Sequence, residues 1–280
     1  MSFEPRLPYL HVPDLVLLPQ GALGNFPPAP FSLKPFGTLV AIGVYFGAWL
    51  AMRHGRRLGL DERKLMSFIV WVVGIGFIGG HVLDTLFYFP ERIAQDPLSL
   101  IRLWEGLSSF GGFLGAALGV FLWRWRYREP VLPYADVVAS AFPVGWVFGR
   151  AGCTLAHDHP GVHSNAWLAV RYPDGGRFDL GMYEMLLTIP LAITFLYLRK
   201  RPRPWGFYLA LMSIAYAPSR FALDFLRIRE GKTADARYLE LTPAQWACFG
   251  LLGLGVLLLF RTLEKQDFSL PEVAPVVEPN

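Results

Sequence analysis

Seven apolar runs, each about 20 residues long, limit what this chain can become. They lie near 36–53, 66–89, 108–124, 134–153, 181–198, 205–222 and 243–261. At 1.5 Å of rise per residue, such a run crosses a hydrocarbon layer of about 30 Å as a helix. The chain therefore reads as an all-α, polytopic integral membrane protein with about seven transmembrane helices. Composition agrees, with 53% hydrophobic and only 17% charged residues among 280. Pro143 and Arg150 interrupt the fourth run, but neighbours in a bundle can satisfy the carbonyls a proline frees. The net charge of +4 gives no nucleic-acid surface, because the basic residues fall in short loops between runs. Two cysteines, Cys153 and Cys248, make no disulfide framework, and their pairing stays open.

Basic residues set the orientation. Arg53, Arg56, Arg57, Arg63 and Lys64 follow the first run, Arg124, Arg126 and Arg128 the third, and Arg199, Lys200, Arg201 and Arg203 the fifth. If spans alternate, all three clusters share one side, which the positive-inside rule makes cytoplasmic. The N-terminus is then outside and the C-terminus inside. The opposite loops (90–107, 154–180 and 223–242) are richer in His, Asp and aromatic residues, so the site is expected there. Residues 1–34 carry no secretory signal pattern and read as an outer, interfacial arm. Residues 35–262 form the transmembrane domain, and 263–280 a cytoplasmic tail expected to be disordered from Gln266 onward. Gly111, Gly115 and Gly119, with Gly76 and Gly80, read as helix seams where backbones approach closely.

Arg150 needs explaining. It follows a run from Val137 to Phe148 broken only by Ser140, Pro143 and Gly145. A charge within the bilayer costs roughly 2.5–3.5 kcal/mol on insertion scales, so it either snorkels from a helix end or faces an anion in a cavity. Arg220 and Asp224 stand four apart on one helix and could pair, with Arg227 near the same face. Glu184 lies near the outer end of its run. Two buried arginines with two carboxylates suit a phosphate-bearing ligand. A salt-bridge network that only ties helices together fits the same residues.

His157, Asp158, His159 and His163 form the densest polar cluster. They read as a solvated loop, or as a general base near neutral pH. His-x-His beside a carboxylate could also hold zinc, but the spacing is not a strong zinc signature, so no metal and no cofactor is expected. His81 could pair with Asp84, three residues on.

The ordered motifs resemble the prolipoprotein diacylglyceryl transferase family over roughly residues 30–260. Lys34-Pro35-Phe36-Gly37-Thr38-Leu39 is similar to the start of its first helix, and Arg57-Leu58-Gly59-Leu60-Asp61 to its first cytoplasmic loop. Phe87-Tyr88-Phe89-Pro90 is similar to Phe-Tyr-Asn-Pro. Trp104-Glu105-Gly106 through Phe110-Gly111-Gly112 resembles Trp-Glu-Gly-Gly…Ser-x-His-Gly-Gly. Gly149-Arg150-x-Gly152 through Gly161 resembles Gly-Arg-x-Gly-Asn-Phe-x-Asn-x-Glu-x-x-Gly. Tyr183-Glu184 and Arg220-x-x-x-Asp224-Phe225-x-Arg227 complete the set.

The resemblance implies a multi-pass enzyme of the bacterial inner membrane with its site toward the periplasm. Its partners would be phosphatidylglycerol and a prolipoprotein signal peptide with a lipobox cysteine. It would move the diacylglyceryl group to that thiol and release glycerol phosphate. Arg150 and Arg220 would clamp the phosphate, and Glu184 and Asp224 would orient them or the lipid glycerol. Gly161 would let the loop turn close to the headgroup, with Tyr183, Arg227, Gly111 and Gly112 completing the binding set. The family histidine before Gly-Gly falls on Phe110, its asparagines on Cys153 and Ala156, and its glutamate on Asp158. His157 and His159, with Asp158, are then the catalytic candidates for activating the thiol, and His163 is a further substitute. The lost groups also fit a catalytically impaired paralogue that binds anionic lipid or precursor. A small transporter is a third reading, against which the charges gather in the outer half.

Overall fold

The computed structural model describes residues 7–20, 22, 31–102, 106–229 and 237–264. Trp104, Glu105, the side chains of Phe87 and Tyr88, and the tail expectation for 266–280 lie outside these residues. Each predicted span is a helix. In chain order they are α1 (Pro35–Arg57), α2 (Glu62–Tyr88), a short α3 (Pro90–Gln95), α4 (Ser109–Tyr127), α5 (Val131–Ala156), α6 (Leu180–Leu198), α7 (Phe207–Leu223) and α8 (Pro243–Glu264).

Six of these, all but α3 and α4, are long and apolar enough to cross a membrane, one fewer than predicted. The exception has a physical cause. α4 ends on Trp123-Arg124-Trp125-Arg126-Tyr127, so its apolar part from Ser109 to Trp123 reaches only about 22 Å at the helical rise. Large side chains such as Tyr45, Phe121, Ile193 and Phe260 are exposed along the helices, as lipid-facing positions should be.

The described chain forms two compact bodies. One comprises Ala51–Val138, Pro202–Phe207 and the residues from Thr262 on. Its axis is the packing of α2 against α4, along the predicted glycine seam. A Cβ at Gly79 would lie 2.7 Å from Gly115 Cα and 2.9 Å from the Gly111 carbonyl. Only glycine fits, because the obstacle is backbone that cannot rotate away. Gly79→Val should therefore destabilise the protein by about 1–3 kcal/mol through overpacking. Thermal unfolding in detergent measures this, with Gly74→Ala, which meets nothing within 4 Å, as the control.

His81 meets two backbone carbonyls. Its Nδ1 lies 3.1 Å from the Gly106 carbonyl and its Nε2 2.9 Å from the Ser99 carbonyl, so the buried ring pins α2 to the segment before α4. Backbone carbonyls in a buried loop need donors, and an imidazole N–H supplies one to whichever carbonyl its tautomer faces.

The other body contains the described residues up to Leu50, Ala139–Arg201 and Tyr208–Arg261. α1 crosses α5 where Gly43 meets Gly145, beside the stacked rings of Phe46 and Phe148. In the N-terminal arm β1 (Leu15–Leu18) runs antiparallel to β2 (Phe31–Leu33). The segment 154–180, expected as a loop, is a three-stranded antiparallel sheet of β3 (Pro160–His163), β4 (Val170–Tyr172) and β5 (Gly175–Asp179) in the order β3-β5-β4. Tyr172 pairs with Gly175 across a Pro173-Asp174 turn, chemistry that closes a hairpin.

Candidate active site

Arg150 sits one turn and a half before the end of α5 and is 3% exposed. α6 brings Glu184 to it. The approach is close at Gly181, where a Cβ would stand 3.0 Å from Cys153 Cβ. Arg150 Nε then lies 2.9 Å from Glu184 Oε1, as a charge contact rather than an aligned hydrogen bond. The guanidinium carbon lies 4.6 Å from the centre of the Trp146 ring, whose indole N–H donates to Glu184 Oε1 at 2.9 Å.

α7 completes the arrangement from the other side. The Tyr216 hydroxyl donates to Glu184 Oε1 at 2.5 Å, and Arg220 Nε lies 3.9 Å from Glu184 Oε2. Arg220 Nη1 donates to Asp224 Oδ1 at 2.5 Å, the predicted i to i+4 pair. Asp224 opens the 3-10 turn Asp224–Leu226, where α7 stops, and is fully buried. It also accepts from the Thr242 hydroxyl, and Arg227 Nε is 4.0 Å away. Arg150, Glu184, Arg220, Asp224 and Arg227 thus form a row of alternating charge. Ions taken out of water cost several kcal/mol each, so the alternation is what makes the row tolerable.

Sequence reading brought out the charged members and missed Trp146, Tyr216 and Thr242. Trp146 precedes Arg150 by four, and Tyr216 precedes Arg220 by four. Spacing of four on a helix puts side chains on one face, so both were within reach of the same rule that paired Arg220 with Asp224. Thr242 starts a capping box: Gln245 N–H donates to Thr242 Oγ1 at 3.1 Å, and Thr242 N–H donates to Gln245 Oε1 at 3.0 Å.

Other predicted residues are placed differently. The Tyr183 hydroxyl donates to the Leu168 carbonyl, tying α6 to the connection between β3 and β4. Gly161 faces backbone on both sides, since a Cβ would lie 2.8 Å from the Leu226 carbonyl and 2.9 Å from that of Phe178. Its need for glycine comes from the antiparallel bridge between Gly161 and Arg227, not from a left-handed turn. Gly111 and Gly112 belong to the α2–α4 body, where Gly111 N–H meets Ser108 Oγ at the helix start.

The histidines separate into three environments. His157 follows α5 at φ 49°, a left-handed turn that histidine adopts more readily than bulkier residues. It is buried, with Nδ1 2.8 Å from Asp179 Oδ2, Nε2 3.1 Å from the Leu10 carbonyl, and Tyr9 stacked on its ring at 3.8 Å. Both ring nitrogens are engaged. Asp179 also caps α6 through Met182 N–H and accepts from Tyr172, whose phenol is pushed up by burial and then by the carboxylate, so it remains a donor. His163 is mostly exposed, 4.0 Å from Asp174. His159 Nδ1 lies 2.6 Å from Asp158 Oδ1. Because His157 turns the chain back, Cys153 Sγ, an Asp158 carboxylate oxygen and a His159 ring nitrogen come within 4.8 Å of one another. Cys153 Sγ also lies 3.6 Å from Arg150 Nη1, and both cysteines are free thiols.

Comparison with known proteins places this geometry in context. Residues 25–261 match the family described as "Prolipoprotein diacylglyceryl transferase". The chain is similar to the phosphatidylglycerol–prolipoprotein diacylglyceryl transferase of Nitratidesulfovibrio vulgaris, 29% identical over 83% of this chain and 90% of the relative. It is similar to the protein of the same name from Pseudomonas paraeruginosa, 26% identical over 88% and 94%. For that of Vibrio parahaemolyticus the figures are 32% over 71% and 75%.

Proposed function

Since the chain belongs to the prolipoprotein diacylglyceryl transferase family, we propose that the row from Arg150 to Asp224 is where its lipid donor is cleaved. The protein is a multi-pass membrane transferase that moves the diacylglyceryl group of phosphatidylglycerol to a prolipoprotein. The finer assignments are readings of the site. The observation that carries them is that two guanidiniums from different helices, Arg150 and Arg220, share one buried carboxylate, Glu184.

A guanidinium has five N–H donors in a planar fork. Glu184 and Asp224 engage some of them and fix the planes, leaving the others to meet the lipid phosphate. As the bond from glycerol carbon to phosphate oxygen breaks, the departing glycerol phosphate gains a second negative charge. Donors already oriented in a dry site stabilise that charge without reorganising. Glu184, held in turn by Trp146 and Tyr216, is the positioning residue between the two arginines. The acceptor is the thiol of a lipobox cysteine, and Asp158 and His159 serve that side of the reaction. His157 positions their turn. The site faces the periplasm of the inner membrane, a reading that takes α4 as a seventh crossing alongside α2, which puts the three basic loops together on the opposite side.

The test is release of glycerol phosphate from phosphatidylglycerol by purified protein with a lipobox peptide. Product that depends on both the peptide and its cysteine supports the reading. Lipid binding without product points instead to the impaired paralogue.

A further inference from the structure

We propose that Cys153, Asp158 and His159 form a zinc site that binds and activates the acceptor thiol. This rests on the transferase reading and deepens it, by naming how the nucleophile is prepared. The three donor atoms lie within 4.8 Å of one another. Tetrahedral zinc has ligands at about 2.0–2.3 Å, so its donors stand about 3.3–3.8 Å apart. Small side-chain shifts reach this, opening the 2.6 Å hydrogen bond between Asp158 and His159 and closing the longer separations. Thiolate, imidazole and carboxylate together suit zinc better than the harder divalent cations. Three protein ligands with a fourth position open are the pattern of a catalytic site.

Local structure explains why linear spacing hid the site. Cys153 lies inside α5, while Asp158 and His159 follow the left-handed residue His157. That turn is fixed by Asp179, the Leu10 carbonyl and Tyr9, none of which is near in sequence. The turn folds Asp158 and His159 back over the thiol. Cys153 is buried, whereas the Asp158 and His159 side chains are 40% and 23% exposed, which leaves the open position toward the loop side.

Charge balance is compatible with the neighbouring cation. Two anionic ligands neutralise a divalent metal, and Arg150 remains paired with Glu184. Its Nη1 donor, 3.6 Å from Cys153 Sγ, would then be an outer hydrogen bond to a metal-bound thiolate.

The proposed step balances. The acceptor thiol binds the metal, and its proton leaves to solvent, since a coordinated thiol is deprotonated. The sulfur lone pair forms the bond to the glycerol carbon of phosphatidylglycerol. The carbon–oxygen bond to phosphate breaks, and its electron pair departs with glycerol phosphate. No oxidant or reductant is needed. The metal thus does the work of a protein base on the acceptor side.

The experiment is metal titration of the full chain in lipid nanodiscs after chelator treatment, with cobalt(II) and zinc(II) as probes. Expected are one metal per chain and a thiolate-to-cobalt charge-transfer band that zinc displaces. Cys153→Ser should abolish that band. His159→Gln, a change on a partly exposed loop, should keep the band and weaken zinc binding by at least about 100-fold, above the roughly 10–100-fold cost of losing an outer-shell partner. It serves alone if Cys153→Ser fails to fold. Absence of saturable binding, or a cobalt spectrum unchanged by Cys153→Ser, overturns the site. Transfer that persists undiminished in metal-free protein overturns its role in activating the thiol. Stoichiometric metal binding in a protein that never releases glycerol phosphate would support the site while counting against the transferase reading.

Discussion

Arg150→Ala is expected to lower the rate of glycerol phosphate release by roughly 10²–10³-fold or more, the cost of removing one oriented donor from developing negative charge. The loss should fall on turnover, because the contact strengthens as the phosphate leaves. Arg150→Lys should not restore it. Lysine offers a point charge without a planar fork, and it cannot reach Glu184, the Trp146 ring and a phosphate together. Initial rates against phosphatidylglycerol concentration separate the effects. A KM increase with unchanged kcat would make Arg150 a uniform binder instead of a group acting at the transition state.

The largest effect on stability is expected at Glu184. Its side chain is 7% exposed and accepts from Trp146 and Tyr216 while facing two guanidiniums. Glu184→Leu removes the anion between Arg150 and Arg220 and leaves like charges facing each other. Breaking a buried pair in this way costs about 3–5 kcal/mol, chiefly from the uncompensated charge. Arg150→Met combined with Glu184→Leu should cost less than Glu184→Leu alone, since an apolar pair of similar volume replaces the ions. Thermal unfolding in one detergent measures Glu184→Leu, Arg150→Met and the double variant. Strict additivity would mean that Arg150 and Glu184 are not energetically coupled.

Helix positions were legible because apolar length is a local property. The predicted run 36–53 lies inside Pro35–Arg57, and 243–261 inside Pro243–Glu264. That α4 is less apolar across a spanning length than the other long helices was legible too, in the arginines at its end. The Arg220–Asp224 pair followed from helix spacing, and the same spacing could have found Tyr216 and Trp146. Thr242 meeting Asp224 could not be read this way, since the two stand 18 residues apart on different elements. The small sheet hid in a segment judged by its polarity, although Tyr172-Pro173-Asp174-Gly175 carries a turn signal. His157 and His159 looked alike in sequence. Tertiary contacts to Asp179 and Leu10 occupy the ring of the first, while the ring of the second meets only its neighbour Asp158 among the described side-chain hydrogen bonds.

The most direct measurement is a structure of the protein with phosphatidylglycerol bound. The account predicts the lipid phosphate within hydrogen-bonding distance of both Arg150 and Arg220, with Glu184 still between their guanidiniums. A headgroup bound away from both arginines, with the row from Arg150 to Asp224 unchanged, would contradict it.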